Sequence, residues 1–233
     1  MKIRIQPHSI LKFSVLAIAS VASASPASAA TILGVTIEDF SSELTSGAFD
    51  RRAEDTINGS GLSAGGTHGL HNVTANDMWE TQGTIDAPND NAPWHVTYDL
   101  ESDYILTSIH VWNYNEAGTL STAGAKDVEI FVSPTINTAD LVKLDNAGGD
   151  FLFAQASGAA GDPGFDVDLS GVTNSTLLND VRLVRLNITA NHGQVASLAG
   201  LAEVQFGGDP VPEPTAVAFL AIGGLALLRR RRK

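Results

Sequence analysis

His95-Val96-Thr97-Tyr98-Asp99-Leu100 alternates apolar and polar side chains, which puts Val96, Tyr98 and Leu100 on one face of a strand. Three polar residues follow, and Ile105 to Tyr114 resumes as a second strand. Asp127 to Val132 repeats the pattern with Val128, Ile130 and Val132 inward. Phe165 to Leu169 does so through Phe165, Val167 and Leu169, which leaves Asp166 and Asp168 to water. Val181 to Thr189 and Leu201 to Phe206 are of the same kind. Weaker strands at Thr31 to Ile37 and Asp150 to Ala154 bring the expectation to about eight. No long segment holds a helical period, so the pattern predicts an all-β fold, a single antiparallel β-sandwich.

The connections between these strands are long and rich in glycine. Asn58-Gly59-Ser60-Gly61 through Gly65-Gly66, and Ala156 to Gly164, are too glycine-rich for regular structure. Loops of this kind at the ends of a sandwich are where binding sites sit. No internal repeat or linker divides residues 31–209, which form one domain. That stretch holds 25 Asp and Glu against 6 Lys and Arg, a formal net charge of −19. Such a surface repels phosphate backbones and argues against nucleic acid as a partner, while most of its carboxylates are simply solvated. There is no cysteine, so the domain holds together without disulfides. A single domain of this size can do so, because it buries about 70% of its unfolded surface.

Both ends read as addresses. Residues 1–29 begin with Lys2, Arg4 and Lys12, run through an apolar stretch from Phe13 to Ala22, and end in Ala27-Ser28-Ala29, the order a signal peptidase reads. Residues 211–233 read Val-Pro-Glu-Pro, an apolar run from Thr215 to Leu228, and Arg229-Arg230-Arg231-Arg232-Lys233. As a helix the run would reach roughly 21 Å, short of a hydrocarbon core of about 30 Å. The terminal cations would mark its cytoplasmic end, so the segment reads as a short membrane stop, a transmembrane helix in function. The tail resembles the PEP-CTERM sorting signal of Gram-negative bacteria, with Pro212, Glu213 and Pro214 as the motif. The resemblance implies a membrane-tethered precursor, processing by an exosortase, and a final place at the cell surface or in the extracellular matrix. A permanent tail anchor is the alternative.

Three stretches of the domain carry a second resemblance. They are Thr56 to Leu62 with His71, Met78 and Trp79; Ile109 to Glu116; and Asn191-His192-Gly193 with Gly200 to Phe206. Over roughly residues 50–207 the chain resembles a discoidin-type domain of the galactose-binding-like superfamily, an eight-stranded jelly roll. The resemblance implies a structural calcium ion between an early turn and the last strand, for which Asp55, Asn58, Thr67 and Glu203 supply hard oxygens. Without the ion, Asn58-Gly59 is a tight turn and Glu203 a solvated strand residue. It also implies carbohydrate binding, through aromatic rings that stack on sugars beside groups that bond hydroxyls. His71, Trp79, Trp112, Asn113, Asn115, Glu116, Arg185 and His192 are the candidates. Trp79 and Trp94 can equally plug the ends of the sandwich, Trp112 can pack in the core, and Arg185 can be a plain surface charge.

No nucleophile elbow, zinc-protease helix or phosphate loop is present. His68 and His71 stand three residues apart in a glycine-rich loop, with no carboxylate or third histidine placed convincingly near them by sequence. Asp166 and Asp168 share a strand face, where paired carboxylates are usually solvated. The expected protein is therefore an exported, non-catalytic module that binds extracellular polysaccharide, or else a structural or adhesive matrix protein.

Overall fold

The computed structural model describes residues 30–45, 47–65, 67–82, 93–193 and 198–212. The expected leader at 1–29 and the tail beyond Pro212 lie outside them. Among the described residues no helix is long and apolar enough to cross a membrane. The strands are β1 (Thr36–Phe40), β2 (Leu62–Ser63), β3 (Leu70–His71), β4 (Trp79–Glu80), β5 (Trp94–Asn113), β6 (Ala125–Ser133), β7 (Val142–Lys143), β8 (Phe151–Leu152), β9 (Phe165–Asp166), β10 (Val181–Asn191) and β11 (Gly200–Pro210).

The two strands expected at 95–100 and 105–114 are one strand, β5, which runs through both layers of the sandwich. Residues 94–99 pair antiparallel with β1 and with β10, which in turn pairs with β6. Residues 104–113 pair with β11 and, at His110 and Val111, with β9. The polar residues read as a turn form the corner between these halves. There the register against β10 slips, Val181 facing Tyr104 and Leu183 facing Asp99, and Glu101 takes a left-handed φ of 64°. Such bulges let a strand change layers. Side chains pin this one: Asp99 Oδ1 accepts the Glu101 N–H at 2.8 Å, and Arg182 grips the Asp99 carboxylate through Nε and Nη2.

The main core lies between the layers. It includes Val96, Tyr98 and Leu100 from one half of β5, Ile109 and Val111 from the other, Val128, Ile130 and Val132 from β6, Val184, Leu186 and Ile188 from β10, and Val204 and Phe206 from β11. These are the inward positions that alternation predicts. The strand expected at Phe165–Leu169 is cut to Phe165–Asp166, because Asp168 turns to accept the Ser170 N–H at 2.9 Å and closes a local turn. Val167 is nonetheless buried, and Asp166 and Asp168 are exposed. The strand expected at Thr31–Ile37 begins later, at Thr36; Gly34, at φ 77°, bends the chain before it.

A second buried cluster lies on the opposite face of the β5 C-terminal half. Met78, Trp112, Tyr114, Ala123 and Ala202 form it, with Leu62 and Leu198 against them. Ile109 and Val111 point into the main core, so His110, Trp112 and Tyr114 point out of the sandwich. Leu62, His68 and Met78, from in and around the small β2–β3 ribbon, supply part of the cover over that outer face.

Candidate functional site

At one end of this covered face, three distant segments converge on one arginine. Backbone bonds set the convergence: the Leu44 N–H reaches the Glu80 carbonyl at 2.9 Å, and the Arg51 N–H reaches that of Leu44 at 3.2 Å. The buried Arg51 guanidinium then pairs with Glu80 Oε2, donates to Tyr114 Oη at 2.6 Å, and lies 3.2 Å from Glu116 Oε2. Tyr114 Oη in turn donates a hydrogen bond to Glu116 Oε2 at 2.5 Å. Two carboxylates thus share one cation. Burial pushes the Glu80 carboxyl up against the pull of Arg51, with Glu116 adding to the rise. Burial and Glu80 together hold the Tyr114 phenol protonated.

An open aromatic ring completes the group. The Arg51 guanidinium lies 4.8 Å from the ring centre of Phe49, and Phe49 is 47% exposed. Asn76 ties the segment down, its Oδ1 accepting the Asp50 N–H at 3.3 Å and its amide donating to Ala48 O at 3.4 Å. Glu116, with its side chain 18% exposed, joins the network to solvent.

Of the sugar-binding candidates read from sequence, Glu116 is the one in this group. Trp79 and Trp112 are fully buried, which corrects the expectation that either offers a stacking face. Trp79 Nε1 donates to Ser42 O at 2.9 Å, and Trp112 belongs to the covered cluster. Trp94 is buried as well. His71 is buried, with Nδ1 2.9 Å from Asn72 O. Asn113 and Asn115 are buried and spend their amides on backbone, Asn113 on Ala125 O and Ala154 O, Asn115 on Asn72 O and Ala159 O. His192 meets Phe153 O through Nε2 at 3.0 Å. Arg185 sits on the other layer, bonded to Thr97 Oγ1 at 2.7 Å and Asp39 Oδ2 at 2.8 Å. Sequence reading did not single out Phe49, Arg51, Glu80 or Tyr114, although Tyr114 stands in the Ile109–Glu116 stretch.

The residues considered for calcium divide in two. Glu203 is 2% exposed, which overturns its reading as a solvated strand residue. Both its oxygens lie 3.2 Å from the Gly59 N–H, and no described cationic side chain pairs with it. Burial pushes its carboxyl up to about 8, and nearby Asp55 adds to the rise. Asn58 bridges toward Asp55, its Nδ2 donating to Asp55 Oδ1 at 3.0 Å. Thr67 instead lines a cavity with His68 and His110. The fold also corrects the reading of the histidine loop, bringing His110 and the carboxylate of Asp166 to His68 while His71 stays buried elsewhere.

Residues 210–233 match the PEP-CTERM protein-sorting motif. No curated protein matches the chain in sequence. Among solved structures, the C-terminal domain of a chitobiase from Bacteroides fragilis is similar, at 16% identity, 79% of this chain, all of that one, and a TM-score of 0.50. A CBM32 module from a family 31 glycoside hydrolase of Clostridium perfringens matches at 14% identity, 75% of this chain, 91% of that one, and a TM-score of 0.46. The family 32 CBM of NanJ from C. perfringens, solved with galactose, matches at 14% identity, 74% and 92% coverage, and a TM-score of 0.43. At these identities the likeness is one of fold. The domain is an antiparallel β-sandwich similar in fold to that chitobiase domain. The chain that contains it carries a PEP-CTERM sorting motif at its C-terminal end.

Proposed function

We propose that this chain is an exported, non-catalytic module that binds extracellular carbohydrate at the Phe49–Arg51–Glu116 group, after an exosortase-type enzyme has processed its tail near Pro212-Glu213-Pro214. The observation that carries the reading is an open phenyl ring beside an arginine and a carboxylate held in fixed positions. A sugar presents an apolar ring face and vicinal hydroxyls; Phe49 suits the first, and Glu116, the network's solvent-facing acceptor held in place by Arg51, suits the second. Among the described residues, the exposed aromatic rings are Phe40 and Phe49, and Phe49 has the polar partners. A glycan array probed with the purified chain tests this. Wild type should bind a defined set of glycans, and Phe49→Ala and Glu116→Gln should lose them with an unchanged circular dichroism spectrum. Equal binding by both variants contradicts the site.

The reading includes one structural calcium ion, held by Glu203 and Asp55 with the Asn58 side-chain oxygen and loop carbonyls as further donors. A buried carboxylate facing only backbone N–H and a second acid lacks a countercharge, and hard oxygens are what calcium takes. When bound, the ion would supply that charge and tie the Gly59 turn to β11. Export and processing rest on the tail, and mass spectrometry of the mature protein from a native host tests them. An intact Lys233 would exclude cleavage.

A second reading, a structural or adhesive matrix protein, draws on the complete burial of Trp79 and Trp112. It predicts a silent array and retained matrix association.

A further inference from the structure

A second group of side chains, away from the arginine network, is arranged for different chemistry. Gln205, His110 and Asp166 are register partners across β11, β5 and β9, so they stand in one row across the outer face of that layer. His68, from the loop above, lies over the row with its ring 4.0 Å from that of His110 and 14° from parallel. One ligand atom from each of His68, His110 and Asp166 falls within 4.8 Å of the other two. The three line an open cavity of about 390 Å³.

The hydrogen bonds say which nitrogens are free. His110 Nε2 lies 3.0 Å from the Pro163 carbonyl, and His68 Nδ1 lies 3.2 Å from Gln205 Oε1. Both oxygens accept, so each ring keeps a proton on that outer nitrogen, and a neutral ring then presents a lone pair from His110 Nδ1 and from His68 Nε2. Metal-ligating histidines are held in this way, the far N–H donated to a carbonyl or carboxylate. Moreover, His110 Nδ1 lies 2.7 Å from Asp166 Oδ1. With the His110 proton on Nε2 alone these are two acceptors in contact, and a positive charge between them, a second ring proton or a metal ion in its place, resolves the clash.

We propose that His68 Nε2, His110 Nδ1 and the Asp166 carboxylate bind a divalent transition-metal ion, with zinc as the best-matched probe and solvent completing the shell. Two imidazoles and one carboxylate suit zinc, whereas calcium takes oxygen alone. Tetrahedral bonds of about 2.0–2.2 Å put ligand atoms roughly 3.3–3.5 Å apart, so Asp166 must draw back from His110 while His68 closes in. Two of them can move: Asp166 has a side chain 74% exposed, and His68 precedes Gly69, whose φ of 102° marks a loop backbone that is not part of a strand. Loading turns the His68 ring out of its stack, because the lone pairs of parallel rings do not converge. The site stands whether or not the domain binds sugar.

The test is isothermal titration of the full-length chain, free of any affinity tag, with Zn²⁺, and a parallel titration with Co²⁺ read by its visible absorption. The expected result is one saturable zinc site and the intense bands of four-coordinate cobalt. His68→Ala and Asp166→Asn, both at accessible positions, should each weaken zinc about 10- to 100-fold. His95→Gln should leave it unchanged, since His95 meets Asp39 at 3.1 Å without a second histidine. No saturable uptake overturns the site, and so does equal affinity in wild type, His68→Ala and Asp166→Asn.

Discussion

The two halves of β5 each turn a row of side chains away from the main core, and the molecule treats the two rows in opposite ways. On the first half, Thr97 and Asp99 meet Arg185 and Arg182 from β10, and every charge in the row finds an opposite charge. On the second half, loops cover His110, Trp112 and Tyr114, and the acids gathered there outnumber the cations. The carboxyls of Glu80 and Glu203 are pushed up by burial on the covered side, while Arg182 is raised by its bond to Asp99 on the paired side. A face closed by matched ion pairs is finished, whereas a face that buries unmatched acids keeps a demand for a cation or a hydroxyl-bearing ligand.

Substitutions should separate the faces sharply. Trp112→Ala, which empties the centre of the covered cluster, should cost about 3–5 kcal/mol in chemical denaturation. A loss below about 1 kcal/mol would show that the loops do not close over that face.

Glu203 supplies the next effect, through pH. Its folded value near 8 lies above the ordinary 4.5, so between these the folded state holds a proton that the unfolded state has released. Stability is then full below about pH 4.5 and falls as pH rises toward 8, by up to about 1.4 kcal/mol per unit. Thermal melts in chelator should show this slope for wild type and lose it in Glu203→Gln. Saturating calcium should flatten the wild-type slope and raise its midpoint, because the ion takes the place of the proton; a midpoint indifferent to calcium would leave Glu203 a protonated core residue.

Arg185→Met should be the mildest change, within about 1 kcal/mol, since its partner Asp39 is half exposed and exposed pairs contribute little. A larger loss would mean that the ion pairs of the first half hold the fold together as firmly as the buried cluster of the second.

The strands were legible because a half-buried pleat imposes its period on side chains, as at Val128, Ile130 and Val132. The corner of β5 was not, since a bulge with Glu101 at positive φ uses the same polar residues as a turn. Trp112 stayed open between a stacking face and core packing, and His110 was not singled out, for another reason. Alternation assigns them to the outside, and it cannot show that a loop lies over that outside. The arginine group was invisible because Arg51, Glu80 and Glu116 belong to separate segments; the pairing of Leu44 with both Glu80 and Arg51 joins two of them, and Tyr114 and Arg51 reach the third. Glu203 stood out through the resemblance, but its burial depends on the Gly59 turn folding onto it.

Backbone amide NMR of the chain, titrated with a glycan selected on the array, tests the covered face as the binding face most directly. The account predicts shifts concentrated at residues 49–51, 76–80 and 114–118, with the Asp39–Arg185 side unmoved. Shifts centred on β1 and β10, or spread evenly over the domain, would contradict it.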